Sequence, residues 1–171
     1  MIYSINEEKF KQSMRNLASG VTLITSECSG LRGGMTATAV CSLSADPAQI
    51  LICVNRKSAT YGLIKAGGKF CVNVLADSQS QIASVFASPI DWEQKFSRAE
   101  WNTLETGAPV LKDALVAFDC EVAEYIDSAT HTIFIGRVVG ANFTENELPL
   151  IYFQGNYSSL TNQESVGVHA Y

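Results

Sequence analysis

Between Gly33 and Val54 the chain reads GGMTATAVCSLSADPAQILICV, two apolar runs of strand length split by an Asp-Pro break. The same grammar recurs along the chain. VTLIT from Val21, Met35 to Ser44, QILICV, FCVNVL, TIFIGRVVGA and LIYF all have strand length and turn residues at their ends. SGLRGG reads as a turn between the first two strands. Val116, Phe118, Cys120 and Val122 alternate with Ala117, Asp119, Glu121 and Ala123, the period of a half-buried strand. QILICV, almost continuously apolar, predicts burial on both faces.

Helical spacing is rarer. Ser4 and Glu7 form a capping-box pattern, followed by Phe10, Met14, Leu17 and Ala18 on one face and a stop near Gly20. Ser58 to Ala66 predicts a short helix ended by Gly67-Gly68, and Asp77 a cap for a helix carrying Ile82, Val85 and Phe86. Pro89 to Lys112 is an irregular excursion, long enough to be functional. Six or seven strands, two or three short helices and connections too short for repeated βαβ units predict a mainly β fold, a small closed or nearly closed barrel with flanking helices.

Composition narrows the class. The 171 residues are 47% hydrophobic and 17% charged, enough core for one domain spanning residues 1–171, with a tail at 161–171 that is flexible or lies on a partner. A net charge of -5 with 12 dispersed Lys and Arg argues against nucleic acid and for a small molecule or a protein as partner. No apolar stretch reaches the ~18 residues of a membrane span, and the acidic start lacks the pattern of a secretory signal, so a cytoplasmic protein is expected. Cys28, Cys41, Cys53, Cys71 and Cys120 are widely spaced without a C-x-x-C pair, which predicts buried thiols and no metal site.

Three stretches carry candidate chemistry. In the strand after Gly34, small residues Ala37, Ala39 and Cys41 alternate with Thr36, Thr38 and Val40, and Ser42 follows. A strand this shallow lets a planar heterocycle lie against the backbone; equally, these are hydroxyls of an ordinary half-exposed strand. Asn55 to Thr60, NRKSAT, puts Arg56, Lys57, Ser58 and Thr60 between a strand end and a helix start, a phosphate cradle or a plain N-cap beside solvated charges. HTIFIG begins with His131, a surface or structural histidine unless a cleft surrounds it. YFQGNY sets Tyr152, Phe153 and Tyr157 around a glycine, able to wall a stacked ring or to pack a core.

Taken in order, FKQSMRNLASGVTLIT, GMTATAVCSLSADP, ICVNRKSAT, FCVNVLADSQ, Lys95-Phe96, GAPVL, HTIFIG and LIYFQGNY resemble the flavin reductase-like family, the FMN-binding split barrel. The likeness runs from about Phe10 to Tyr157 and is nearest to the small reductase components of two-component flavin monooxygenases, such as 4-hydroxyphenylacetate hydroxylase reductases. It implies that Thr36, Ala37, Thr38, Ala39 and Ser42 meet the flavin ring, and that Asn55, Arg56, Lys57, Ser58 and Thr60 hold ribityl and phosphate. The backbone at Asn73 and Val74 is then expected to approach the ring or ribityl chain. Lys95, Phe96 and His131 are expected on the nicotinamide side, with Tyr157 closing the cleft. Three positions depart from the family pattern: Thr38-Ala39 where Asn-Ser is frequent, Lys95 where Arg is frequent, and Ala129-Thr130 where Gly-Asp often precedes the histidine.

The implied activity is hydride transfer from NADH or NADPH to FMN or FAD, with reduced flavin passing to a partner monooxygenase from a homodimer. Such chemistry resides in the cofactor and needs no activated serine or metal. A split-barrel flavoprotein that keeps its flavin and reduces ferric iron or a corrinoid is the alternative, as is a flavin-binding or redox-sensing protein with little turnover. FMN against FAD and NADH against NADPH stay open, since no dinucleotide glycine fingerprint is present.

Overall fold

In the computed structural model, which describes residues 5–145 and 147–161, seven strands form one antiparallel sheet in the order β3-β2-β6-β9-β10-β5-β4. These are β2 (Thr22–Cys28), β3 (Leu31–Ala37), β4 (Val40–Ala45), β5 (Ala48–Asn55), β6 (Lys69–Val74), β9 (Val116–Ser128) and β10 (His131–Phe143). Short strands β1 (Ser19–Gly20), β11 (Leu150–Phe153) and β12 (Asn156–Ser159) make a second sheet, and β7 (Trp101–Thr103) pairs with β8 (Pro109–Leu111). Four helices flank them: α1 (Glu7–Met14), α2 (Ala59–Gly67), α3 (Ser80–Ala87) and α4 (Trp92–Phe96).

The expected single strand from Met35 to Ser44 is two strands, broken at Thr38-Ala39, and they form opposite edges of the seven-stranded sheet. Laid flat, six interstrand gaps would separate those edges by about 29 Å. The three Cα steps from Ala37 to Val40 reach about 11 Å at most. The sheet must therefore curl until its edges meet, which makes the barrel. Cys53 N–H donates to Ala39 O at 3.1 Å and fixes the crossover beside β5.

Inside the curl, Ile24, Ile50, Ile52, Val54, Phe70, Val72, Cys120 and Phe134 pack with Ile64 of α2. Outside it, Val21, Leu23, Leu75 and Leu150 pack with Ile82, Ala83 and Phe86 of α3, Phe96 of α4, and Leu111. β2 and β6 are thus covered on both faces, whereas β5 buries Ile50, Ile52 and Val54 and leaves Leu51 and Cys53 partly open. This corrects the expectation of two buried faces for QILICV, because β5 lies beside the edge strand β4 and carries no helix on its outer side.

The start of β9 departs the other way. Ala117 and Asp119, expected on the open face, are buried because the 101–111 excursion covers them. Asp119 accepts from Thr106 N at 2.7 Å and Thr106 Oγ1 at 2.5 Å, and Lys69 Nζ donates to Thr106 O at 3.0 Å, so the excursion is tied down by polar contacts. A carboxylate can be this deeply buried only when its oxygens are so occupied.

Local signals explain the helix ends. Ser58 caps α2 by accepting from Tyr61 N, and Gly68 closes it in the left-handed region at φ 65°. Asn6 caps α1, its Oδ1 accepting from Lys9 N at 2.8 Å; Ser4, the expected cap, and the tail from residue 162 onward lie outside the described residues. α1 stops at Met14, short of Leu17 and Ala18, and buries no residue of its own. Asp77 opens a 3₁₀ turn, Asp77–Gln79, in front of α3 and makes no cap. No described helix is long and apolar enough to cross a membrane.

The thiols divide by depth. Cys71 and Cys120 are buried, and desolvation pushes the Cys120 thiol up to about 12 and that of Cys71 well above the ordinary range. Cys41 is exposed, which corrects the reading of all five as buried. At pH 8 a thiol-specific disulfide reagent is expected to modify Cys41 in the native protein and Cys71 and Cys120 only after unfolding, since the thiolate is the reacting form. Modification of either buried thiol at the rate of Cys41 would contradict this packing.

Candidate functional site

Gly33 and Gly34 lie within β3 and not in the turn that SGLRGG predicts, because Leu31 to Gly34 already pair with β2 and only Ser29-Gly30 turn. A Cβ on Gly33 would stand 2.7 Å from Leu63 Cδ1 and Trp92 Cζ2, and one on Gly34 would stand 2.9 Å from Phe86 Cε1. This end of the shallow strand makes room for α2, α3 and α4, and no ligand is needed to explain it.

The other end of β3 is open. Thr36, Thr38 and Tyr157 line a cleft of about 240 Å³ together with Val21, Ala87 and Tyr152. Thr36 Oγ1 donates to Ala83 O at 2.6 Å, which orients the hydroxyl and leaves its oxygen free to accept. Thr22 Oγ1 donates to Ala37 O at 2.8 Å and steadies the wall before it crosses to β4. Tyr152 and Tyr157 face each other across the β11–β12 pair with ring centroids 6.1 Å apart, so two aromatic side chains form the far wall. Phe153, the third aromatic of YFQGNY, is exposed.

A second cleft of about 250 Å³ adjoins the first, sharing Thr38 and Tyr152 and bordered by Phe10, Met14, Arg15 and Leu17. The apolar side chains of the α1 segment thus look onto this gap and not into a packed core, which is why they stay half exposed. Tyr152, Arg15 and Phe10 were not among the sequence candidates for cofactor contact; only the aromatic pattern of YFQGNY pointed toward Tyr152.

The NRKSAT segment meets the barrel just beyond Cys53. Asn55 lies directly across from His131 in the β5–β10 pairing. Asn55 Oδ1 accepts from Lys57 N at 2.9 Å and Asn55 O from Ser58 N at 2.9 Å, a compact loop with both cationic side chains exposed. Ser58 Oγ accepts from Tyr61 N at 3.2 Å, so its own proton remains available to a ligand. Thr60 is buried within α2. Beside the loop, Thr130 Oγ1 contacts His131 Nδ1 at 2.8 Å. The first-turn amides of α2 and the exposed Lys57 ammonium suit this strand end to an anion, while the Arg56 guanidinium donates to Ala129 O.

The remaining candidates do not join these two groups. Asn73 is fully buried, and its amide donates to Leu23 O and Thr25 Oγ1, each at 3.1 Å, and accepts from Leu111 N at 2.7 Å. Asn73 and Val74 pair within the sheet with β2 on one side and β9 on the other, and neither lines the Thr36 cleft. Lys95 is 6% exposed and Phe96 1%. Lys95 Nζ donates to Phe86 O at 3.1 Å, joining α4 to the end of α3, and burial pushes its ammonium below the ordinary lysine range. Phe96 packs edge-on against Phe86 at 5.3 Å, under the Arg32 guanidinium at 4.4 Å. Ser42 borders a separate, mostly apolar cavity of about 300 Å³ with Val40, Ile50, Phe118 and Val138. Among the described residues no cluster of His, Cys, Asp and Glu could hold a metal.

Residues 14–161 match the family described as flavin reductase like domain. A protein of Agrobacterium fabrum named FMN reductase (NADH) RutF is 38% identical over 88% of this chain and 87% of its own. BorF, the flavin reductase component of a bacterial two-component tryptophan halogenase, superposes with a TM-score of 0.84 at 32% identity, over 92% of this chain and 100% of BorF. The styrene monooxygenase flavin reductase of Pseudomonas putida S12 superposes with a TM-score of 0.81 at 27% identity, over 91% and 99% of the two chains.

Proposed function

Because the chain belongs to the flavin reductase-like domain family, we propose that it is an NADH-dependent flavin reductase that uses FMN and supplies reduced flavin to a partner monooxygenase. The observation that carries this reading is the Cys53 N–H to Ala39 O hydrogen bond. It sets the Thr36–Thr38 cleft against the strand that ends two residues later in the cationic loop, as a ligand with a flat ring and a phosphate requires.

Bound flavin supplies the hydride-accepting N5 of its ring. The chain's own work is binding and alignment. Ala37 and Ala39 keep the crossover low enough for close approach, while Thr36 and Thr38 border the ring and Tyr152 and Tyr157 exclude water from its far side. Asn55 shapes the loop, and Lys57 places positive charge on it in an acidic protein. The Ser58 hydroxyl would donate a hydrogen bond to the phosphate. His131, across from Asn55, faces the nicotinamide. In this proposal Ser42, Thr60, Asn73, Val74, Lys95 and Phe96 support the site by shaping the barrel and touch no flavin.

The protein acts as a cytoplasmic homodimer in the same proposal. On the outer face of β5 and β10, Leu51, Cys53, Ile133 and Ile135 form an apolar row next to exposed Ile126, continuous with Asn55 and His131. A second copy would cover this row and bring its edge to the site.

The deciding experiment is anaerobic NADH and NADPH oxidation with FMN, with FAD and with no added flavin, followed by flavin absorbance. Reduction of free FMN far beyond the protein concentration supports the proposal. Bleaching of only a stoichiometric bound flavin points to another electron acceptor, and no reduction with either nucleotide points to a binding protein.

Ser58→Ala tests the phosphate contact. It is expected to weaken FMN binding about tenfold, the loss of one hydrogen bond to a charged group. Titration well below the melting temperature separates this from the lost helix cap; an unchanged dissociation constant would remove Ser58 from the site.

A further inference from the structure

We infer that Arg56 is a positioning residue for His131, held away from the phosphate role that the family resemblance implies for it. The inference rests on the proposal that His131 faces the reacting nicotinamide. Arg56 follows Asn55 directly, and Asn55 is the residue across from His131. Its main-chain N–H donates to Thr130 O at 3.0 Å, and its guanidinium Nη2 donates to Ala129 O. One residue thus grips two consecutive carbonyls of the turn that joins β9 to β10. Ala129 in that turn has φ 46°, a left-handed conformation that a side-chain-bearing residue adopts reluctantly and that surrounding contacts must hold.

The grip is transmitted to the imidazole. Thr130 Oγ1 lies 2.8 Å from His131 Nδ1, so the turn that Arg56 fixes also fixes the hydroxyl that orients the ring. Nε2 is left as the nitrogen with no protein partner among the described residues, the one able to meet a ligand. A phosphate ligand and a positioning residue predict different losses. Removing a phosphate ligand weakens flavin binding, whereas removing the turn's anchor misdirects the imidazole and lowers turnover with flavin still bound.

The test uses full-length wild type, Arg56→Ala, Arg56→Lys, His131→Ala and the Arg56→Ala/His131→Ala double variant. FMN titration, NADH-dependent kinetics and long-range ¹H–¹⁵N spectra of the imidazoles in the flavin-free protein are measured for each. Only two histidines, His131 and His169, contribute signals, and the His131→Ala spectrum assigns them. Arg56→Ala is expected to lower kcat about fivefold, the worth of one hydrogen bond, with the FMN dissociation constant within about twofold of wild type. It should shift the His131 signals and cause no further loss in the His131→Ala background. Arg56→Lys, which keeps one donor, should restore part of kcat and serves alone if the alanine variant does not fold.

Unchanged His131 signals, or a tenfold rise in the FMN dissociation constant at wild-type kcat, or additive losses in the double variant, would overturn the inference. If the wild type reduces no flavin, the proposed function fails on its own. The imidazole spectra of the flavin-free protein then decide whether Arg56 orients His131.

Discussion

Thr38→Trp is expected to weaken FMN binding by more than about 100-fold while leaving the protein folded, an effect of about 2.7 kcal/mol or more on binding. Thr38 is exposed, and its side chain makes no hydrogen bond among the described residues. Its backbone carbonyl accepts from Val40 N at 3.0 Å, a contact that any residue preserves. It is also the residue, with Tyr152, that borders both adjoining clefts. An indole there would fill the space proposed for the ring and stack on the tyrosine wall in its place. Isothermal titration with FMN and thermal melting check the two halves of the expectation. Retained affinity would move the ring out of this cleft, and a lowered melting temperature would show that the substitution had disturbed the crossover.

Asn73→Ala is expected to do the reverse: a loss of stability on the order of 3 kcal/mol, with FMN affinity unchanged. The amide of Asn73 bonds Leu23 O, Thr25 Oγ1 and Leu111 N, all in a region without water access. Alanine leaves the Leu111 N–H without an acceptor and opens a small void where β6 meets the excursion. In a chain of this length the melting temperature should fall by roughly 6–12 °C. Urea unfolding gives the free energy, and a weaker FMN complex at unchanged stability would return Asn73 to the flavin site.

Much of the framework was legible because it is written locally. Ser58 and Gly67-Gly68 bracket α2 where the sequence places them, since a helix cap requires a side-chain acceptor at one end and a left-handed residue at the other. The strand-length runs VTLIT and TIFIGRVVGA and the period-two run at Val116 all became strands. The break at Thr38-Ala39 was not legible. Nothing in TATAVCS distinguishes one long strand from two that part company, because the crossover is driven by closure of a seven-stranded sheet and not by a turn residue.

The candidate site divides along the same line. Residues near one another in sequence, Asn55 to Ser58, form one compact loop. Lys95 was expected on the nicotinamide side from the family resemblance alone; α4 turns it inward onto Phe86 O, which side-chain chemistry does not announce, since a lysine is ordinarily solvated. Gly33 and Gly34 report that something approaches the backbone closely without reporting whether it is a ligand or, as here, Leu63, Trp92 and Phe86.

The sequence by itself determined the strand periodicity, the helix caps, the chain's kinship and the cluster of cationic and hydroxyl groups after β5. These follow from interactions between residues a few positions apart, for which side-chain chemistry and backbone preference suffice. Only the tertiary structure decided which faces are covered, that Thr36 and Thr38 share a cleft with Tyr152 and Tyr157, and that Arg56 grips the turn before His131. Those contacts join segments about 70 to 120 residues apart, and their geometry is set when the sheet closes on itself.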